Sequence, residues 1–364
     1  MKPQIATRTM KQNFIFLLAG LMFVGVLSMV SISYAEGDTW TKKADMPTAR
    51  QDMSSAVVDR KVYVFGGSAV RSGPVLSVVE EYNPATDTWT KKANMPTARA
   101  ASSSVAVKGR IYVIGGTTND IEFTGLPTVE EYDPVTDKWT TKADMPTPRS
   151  AFSAGVVNGK LYAIGGCLRF QGGVTVPTAA VEEYNPETNT WTKKADMPTP
   201  RLYHSASVVE GKVYVIGGTS NLGRNKFSTV EEYDPATDTW TRKTDMPTSR
   251  CWHCSSASGG KIYVFGGFID LVGLIIVEEY NPETDTWKRV ADMPTGRQLL
   301  TASEVNGRIY VIGGAIGKFQ DVNWNAPWWN GISIVEEYTP DGWQPGQSIS
   351  PQGKLPITWG EIKK

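Results

Sequence analysis

A stretch of twenty residues is written into this chain again and again, and few folds tolerate that. "EEYNPATDTWTKKANMPTAR" at Glu80 to Arg99 returns as "EEYDPVTDKWTTKADMPTPR" at Glu130 to Arg149 and as "EEYNPETNTWTKKADMPTPR" at Glu182 to Arg201. It comes back from Glu231 and from Glu278. "MPT" begins at Met46, Met95, Met145, Met197, Met246 and Met293, and four residues after each Met stands an Arg: Arg50, Arg99, Arg149, Arg201, Arg250 and Arg297. Sixteen residues after each Arg a Gly pair begins, at Gly66, Gly115, Gly165, Gly217, Gly266 and Gly313. "EEY" then ends at Tyr82, Tyr132, Tyr184, Tyr233, Tyr280 and Tyr338, and in five units a Trp follows seven residues later: Trp89, Trp139, Trp191, Trp240 and Trp287.

Successive Arg are 47 to 52 residues apart. That period suits a propeller blade. Each unit reads as four strands: "RQDMSSAVV", "KVYVFGG", "SVVEEY" and "WTKKAD" in the first. The first two are joined by a short turn such as "NG" or "GG", a hairpin signal. The last two are joined by a turn that opens with Asn-Pro. The second strand is apolar on both faces, as expected of a sheet packed between two others. The Gly pair allows positive φ or close backbone approach.

The order and spacing of Arg, Gly-Gly, Tyr and Trp resembles the kelch repeat, in its bacterial exported type, over residues 38 to about 343. The resemblance implies an all-β fold: a six-bladed propeller, each blade a four-stranded antiparallel sheet. The ring must close. "DTWTKKADMPT" at Asp38 to Thr48 is a fourth strand with no first three before it, and Tyr338 is followed by the irregular "TPDGW". Closure by the N-terminal strand is expected; closure through Trp343 is the alternative. The expected domains are a leader over 1–35, the propeller over 36–343 and a tail over 344–364.

The leader is a different text. Lys2, Arg8 and Lys11 precede an uncharged run from Phe14 to Ile32, and Ser33 and Ala35 occupy the small-residue positions of a cleavage site. Cleavage after Ala35 and export to the periplasm, the cell surface or the medium are expected. An uncleaved anchor is the alternative, and only then would the protein contact a membrane. With 37 basic and 37 acidic residues the chain has no cationic excess for nucleic acid. Three Cys are too few to staple an exported domain, so a core must hold it.

The chain does vary in one place. From the second Gly to the first Glu of "EEY" the step is 13, 14, 16, 13, 11 and then 22 residues. This connection joins strands two and three, and it leaves the sheet at the same end as "MPTxR". One face of the ring therefore carries six variable loops and six Arg; the other carries short uniform turns. Function on a rigid scaffold concentrates in variable loops.

Two sets of residues on that face are candidate ligand contacts. Arg50, Arg99, Arg149, Arg201, Arg250 and Arg297 could line the channel mouth and hold an anion. A repeated Arg facing the repeated first Glu of "EEY" equally fits six internal ion pairs. The last loop, "AIGKFQDVNWNAPWWNGIS", carries Phe319, Trp324, Trp328 and Trp329, aromatics that stack on sugars or anchor proteins, or that fold over the ring as a plug. Arg71, Arg169, Phe170, Arg224 and Lys226, with Glu122, Asp270 and Asp321, make the other loops mildly basic.

His204 and His253, each three residues after its Arg, stand near Tyr203, Cys251 and Cys254. The kelch resemblance implies that copper could be considered there, since some enzymes on such propellers bind it through Tyr and His. It also implies that His at this position packs between blades, as Met53, Ser102, Phe152 and Leu300 would in the other units. Strand residues three apart point to opposite faces, which argues against Cys251 and Cys254 gripping one ion. No nucleotide or hydrolase fingerprint is present, and no metal or cofactor is expected. The sequence reads as a monomeric, exported binding module for a protein or glycan, anionic ligands included, and more as a binder than an enzyme. Two alternatives stay open: a carbohydrate enzyme similar to the sialic-acid mutarotases built on kelch propellers, and a structural envelope component.

Overall fold

The computed structural model describes residues 37–70, 73–119, 124–171, 174–222, 224–269, 272–317 and 330–342. Six four-stranded antiparallel sheets follow one another around an axis. Blade one is built from Ser54–Val58, Lys61–Phe65, Val79–Asn83 and Thr88–Lys92, from the axis outward. The innermost strands of blades two to six are Ser103–Val107, Ser153–Val157, Ser205–Val209, Cys254–Ser258 and Thr301–Val305. Among the described residues there is no helix.

The N-terminal strand closes the ring. Thr39–Lys42 pairs with Val335–Thr339 as the outermost strand of blade six, in the register Thr39↔Thr339 to Lys42↔Glu336. Trp40 stacks against Tyr338 at 5.0 Å, as Trp89 stacks against Tyr82 in blade one at 5.0 Å. Trp343, the leader and the tail lie outside the described residues.

The repeated residues are joints between blades. The Tyr82 hydroxyl donates to Asp87, which also accepts the Ala44 N–H of the preceding blade at 2.9 Å. The Trp89 indole donates to the carbonyl of that same Ala44 at 2.9 Å. Asp137 with Trp139, Asn189 with Trp191, Asp238 with Trp240 and Asp285 with Trp287 repeat the joint, and Trp40 reaches Ala291. One residue after each of five outer strands is thus held at both its N–H and its carbonyl by the next blade, and Ala291 is held at its carbonyl.

The Gly pairs make the second joint. Gly66 has φ +60°, and a Cβ there would lie 2.2 Å from the carbonyl oxygen of Arg99 in the next blade. Gly67 donates its N–H to that same oxygen at 2.9 Å, and Gly314 donates to Arg50 across the closure. Between the sheets lie apolar seams. Each is filled by the second strand of one blade and the Tyr, Trp and inner-strand residues of its neighbour, as Val62, Val64 and Tyr82 meet Val305, Tyr310 and Ile312.

The innermost strands are shorter than the sequence suggested. They begin at the serine of "SSAVV", not at the Arg. The intervening backbone turns left-handed two residues after every Arg, which ends the ladder.

Candidate functional site

The six arginines are not a cationic rim. Each is 0% exposed, and its guanidinium sits 2.7–3.0 Å from the first Glu of its own "EEY". The pairs are Arg50–Glu80, Arg99–Glu130, Arg149–Glu182, Arg201–Glu231, Arg250–Glu278 and Arg297–Glu336. The Thr of each "MPT" donates to the same carboxylate at 2.6–2.8 Å. The guanidinium also donates to main-chain carbonyls, as Arg201 does to Gly217 and Thr229 at 2.9 Å. Burial pushes Arg50, Arg149 and Arg250 down to about 10, against the opposing pull of their glutamates. A group so enclosed does not reach a ligand. The ring of anion-binding arginines expected at the channel mouth is corrected to six internal clamps that fasten each "MPTxR" connection to its blade.

What stands at the loop-face end of the channel is a ring that the sequence did not announce. Asp52, Ala101, Ala151, Tyr203, Trp252 and Leu299, each two residues after its Arg, all have φ between +50° and +58°. Each donates its N–H to the carbonyl of the equivalent residue in the preceding blade, at 2.8–3.1 Å, and Asp52 to Leu299 closes the circle. A left-handed conformation costs a non-glycine residue about 1–2 kcal/mol. The six hydrogen bonds, running head to tail around the circle, offset that cost and lock the blades together at the axis. The Arg two positions earlier repeats, but this column and both its neighbours vary, so no residue pattern announces the ring.

The side chains of the ring divide the mouth into two halves. On blades three to five, Tyr203 meets Trp252 edge-on at 5.7 Å, and Trp252 meets Phe268 at 4.8 Å. Cys167, Leu202, Leu222 and Cys251 complete this apolar cluster, with Phe170 and Leu299 at its border. Lys226 lies 5.5 Å above the Phe268 ring. Across the axis, Asp52 accepts a hydrogen bond from the Tyr203 hydroxyl at 3.3 Å.

Below the ring is a chamber of about 240 Å³ lined by the first residues of all six inner strands. Its walls are rich in hydroxyls, among them Ser54, Ser103, Ser153, Ser205, Ser255 and Thr301. Ser55 bonds Thr301 at 2.5 Å and Ser303 at 2.9 Å, tying blade one to blade six.

His204 and His253 are fully buried. Their Cε1 atoms come within 2.9 and 2.7 Å of where a Cβ on Gly165 and Gly217 would stand, the place taken by Phe152 over Gly115. Burial, then the nearby Arg201 and Arg250 charges, pushes both imidazoles down to about 3. Cys251 belongs to the loop-face cluster and Cys254 to the seam between blades five and six, so the two thiols face different surroundings. Burial raises both to about 12. Among the described residues no group of three or more His, Cys, Asp or Glu is placed to hold a metal.

Phe319, Trp324, Trp328 and Trp329 lie outside the described residues, as do Arg71, Glu122, Asp270 and Asp321. The described parts of the loops carry four of the five large hydrophobic side chains exposed among the described residues: Val70, Val174, Ile275 and Ile316. Val135, on a turn of the opposite face, is the fifth. Three of the loops fold as small hairpins, Cys167–Gln171 with Val174–Pro177, Phe268–Ile269 with Val272–Gly273, and Ala315–Ile316 with Asn330–Gly331.

Six blades, an Arg–Glu clamp in each and an outer strand supplied by the opposite terminus define a kelch-type β-propeller. Comparison with known families agrees. The chain belongs to the Attractin/LZTR1 β-propeller family, whose profile matches residues 15–273. It is similar to human Kelch-like protein 33, with 42% identity over 45 residues, which is 12% of this chain and 8% of that protein. The matched region is thus a small part of the curated relative. The solved structure of YjhT superposes with a TM-score of 0.68 at 17% identity, covering 80% of this chain and 95% of that one. The last likeness concerns the fold alone.

Proposed function

We propose that this propeller is an interaction module that docks a partner on its variable-loop face. One observation carries the reading: the face that collects all the length variation also collects Val70, Val174, Ile275 and Ile316 as exposed apolar side chains. Four exposed apolar side chains on the loops of one face, against one on the other, favour the loop face as the binding surface. Aliphatic groups suit a protein partner better than a sugar, so a protein comes first and a glycan second. The leader reading of residues 1–35 would put that partner outside the cytoplasm. The acidic-sugar enzyme reading is the weaker one, because the six arginines that could have met a carboxylate are each consumed by a glutamate.

The test is a screen of the mature chain against envelope proteins and glycans, repeated with Ile275→Glu, Ile316→Glu, Trp328→Ala and Trp329→Ala. Each variant should keep its stability within about 1 kcal/mol, as surface changes do. Binding should weaken by about 1–3 kcal/mol wherever the side chain is an anchor. Binding that survives all four changes would remove the loop face as the site. A large stability loss in the two Trp variants with binding intact would make the last loop a plug.

A further inference from the structure

Blade two departs from its fellows where it lines the axial chamber. One residue past the left-handed ring the other units carry Met53, Phe152, His204, His253 and Leu300; blade two carries Ser102. Met53, Phe152, His204 and His253 each reach over a Gly of the preceding blade, with an atom 2.7–2.9 Å from where a Cβ on it would stand. The three atoms nearest the same place on Gly66 belong to Arg99, Met95 and Leu76, so Ser102 supplies no such filler between blades one and two. The ring residue before it is Ala101, against Tyr203, Trp252 and Leu299 in blades four to six. Two small side chains in succession leave the chamber open toward blade two.

Hydroxyls take the place of that bulk. Ser102, Ser103 and Ser104 line the chamber one after another, and no other unit has three hydroxyl residues in a row there. Ser102 meets Ser54 of blade one at a long 3.4 Å, and the Ser104 hydroxyl has no partner. A buried hydroxyl left unpaired is costly, and a ligand hydroxyl would relieve that cost. In a ring of six, blade five stands across the axis from blade two. Its Trp252 lines the opposite wall, with Tyr203 beside it and Asp52, which accepts from Tyr203, at the rim. The chamber is therefore aromatic on one side and hydroxylic on the other.

A sugar ring has the same two sides: its C–H face packs on aromatic rings, and its hydroxyls pair with hydroxyls and carboxylates. At about 240 Å³ the chamber is smaller than the roughly 300–1,000 Å³ of pockets for drug-sized ligands, which limits it to one such ring. It is not sealed. Toward the smooth face the axis is lined by Val57, Ala106, Val156, Val208, Ala257 and Glu304, all partly exposed although they lie on the innermost strands of a closed ring. Solvent therefore reaches along the axis.

We propose that the chamber is a binding site for a single neutral monosaccharide, separate from the loop-face partner. Ser102, Ser103 and Ser104 receive its hydroxyls, and Trp252 with Tyr203 packs against its apolar face. Ser102 is the residue that makes room for it.

Titration of the mature chain with glucose, galactose, mannose and N-acetylglucosamine, and with the disaccharides maltose and lactose, tests the proposal by calorimetry or ligand-observed NMR. At least one monosaccharide should bind, and the disaccharides at least tenfold more weakly. Ser102→Met gives blade two the residue of blade one; it should melt no lower than the parent and weaken binding tenfold or more. Trp252→Leu, the residue blade six has in the ring, should do the same from the opposite wall, and Ser103→Ala should weaken binding severalfold without moving the melt. Ile275→Glu, on the loop face, should leave sugar binding unchanged, which separates this site from the docking surface. No monosaccharide binding at millimolar concentration would mean the chamber holds water only and would overturn the proposal. Binding that survives both Ser102→Met and Trp252→Leu, or equal binding of the disaccharides, would also overturn it.

Discussion

The arginine that recurs six times admitted two readings in the sequence, an anion contact or half of an internal ion pair, and the structure shows the second. Its spacing marked it as important, and position alone could not say whether its charge faced solvent or protein. Burial decides: a guanidinium with a carboxylate and main-chain carbonyls around it is a clamp. Replacing Arg201 with Ala leaves Glu231 enclosed and uncompensated, and removing one partner of such a pair costs about 3–5 kcal/mol. The expectation is a large fall in denaturation midpoint for Arg201→Ala, with the double change Arg201→Met, Glu231→Leu recovering much of it. Equal melting of the single and double variants would return the arginine to the surface. Glu304 is the opposite case. It was legible as the one charged residue in the described inner strands, but it hid in columns read as serine, alanine and valine. The left-handed ring was illegible because Asp, Ala, Tyr, Trp and Leu share no property that signals positive φ.

At the scale of the strand, the four-per-blade pattern could be read almost to the residue, because period-two alternation and turn residues recur together. What the sequence misplaced was the start of each inner strand, where the ladder yields to the axial ring. The N-terminal strand contributes Trp40, four register pairs to blade six and the indole bond to Ala291. Deleting Asp38 to Asp45 should therefore lower the melting temperature far more than deleting residues 350 to 364, since blade six would be left with an unpaired edge. Thermal melts of the two truncations decide it, and equal losses would contradict closure at this end. The small hairpins in the loops could not be foreseen, because their sequences vary from blade to blade while the scaffold does not.

For the whole molecule, the ring makes acid sensitivity a shared property. His204 and His253 are the chain's two histidines, and burial lowers both from 6.5 to about 3. The unfolded chain takes up their protons near 6.5 while the folded one does not, so their contribution to stability is full above that value and is lost as pH falls toward 3. Glu81, Glu183 and Glu232 act at lower pH. Burial raises them, but bonds from Lys and Tyr and neighbouring lysine charges outweigh it, so each sits below 4.5, and their contribution disappears only on further acidification. Between pH 6.5 and 4.5 the fall in melting temperature should flatten when both histidines become Phe, the residue blade three uses at this position; an unchanged slope would assign the sensitivity elsewhere. The closure has one more consequence, in how the molecule responds to force. Thr39 pairs with Thr339 at the end of an antiparallel pair from which both chain ends depart. Tension between Thr39 and Thr339 would load those hydrogen bonds one at a time, from Thr39 inward, as a zipper is opened. The ring therefore opens bond by bond when its own ends pull on it.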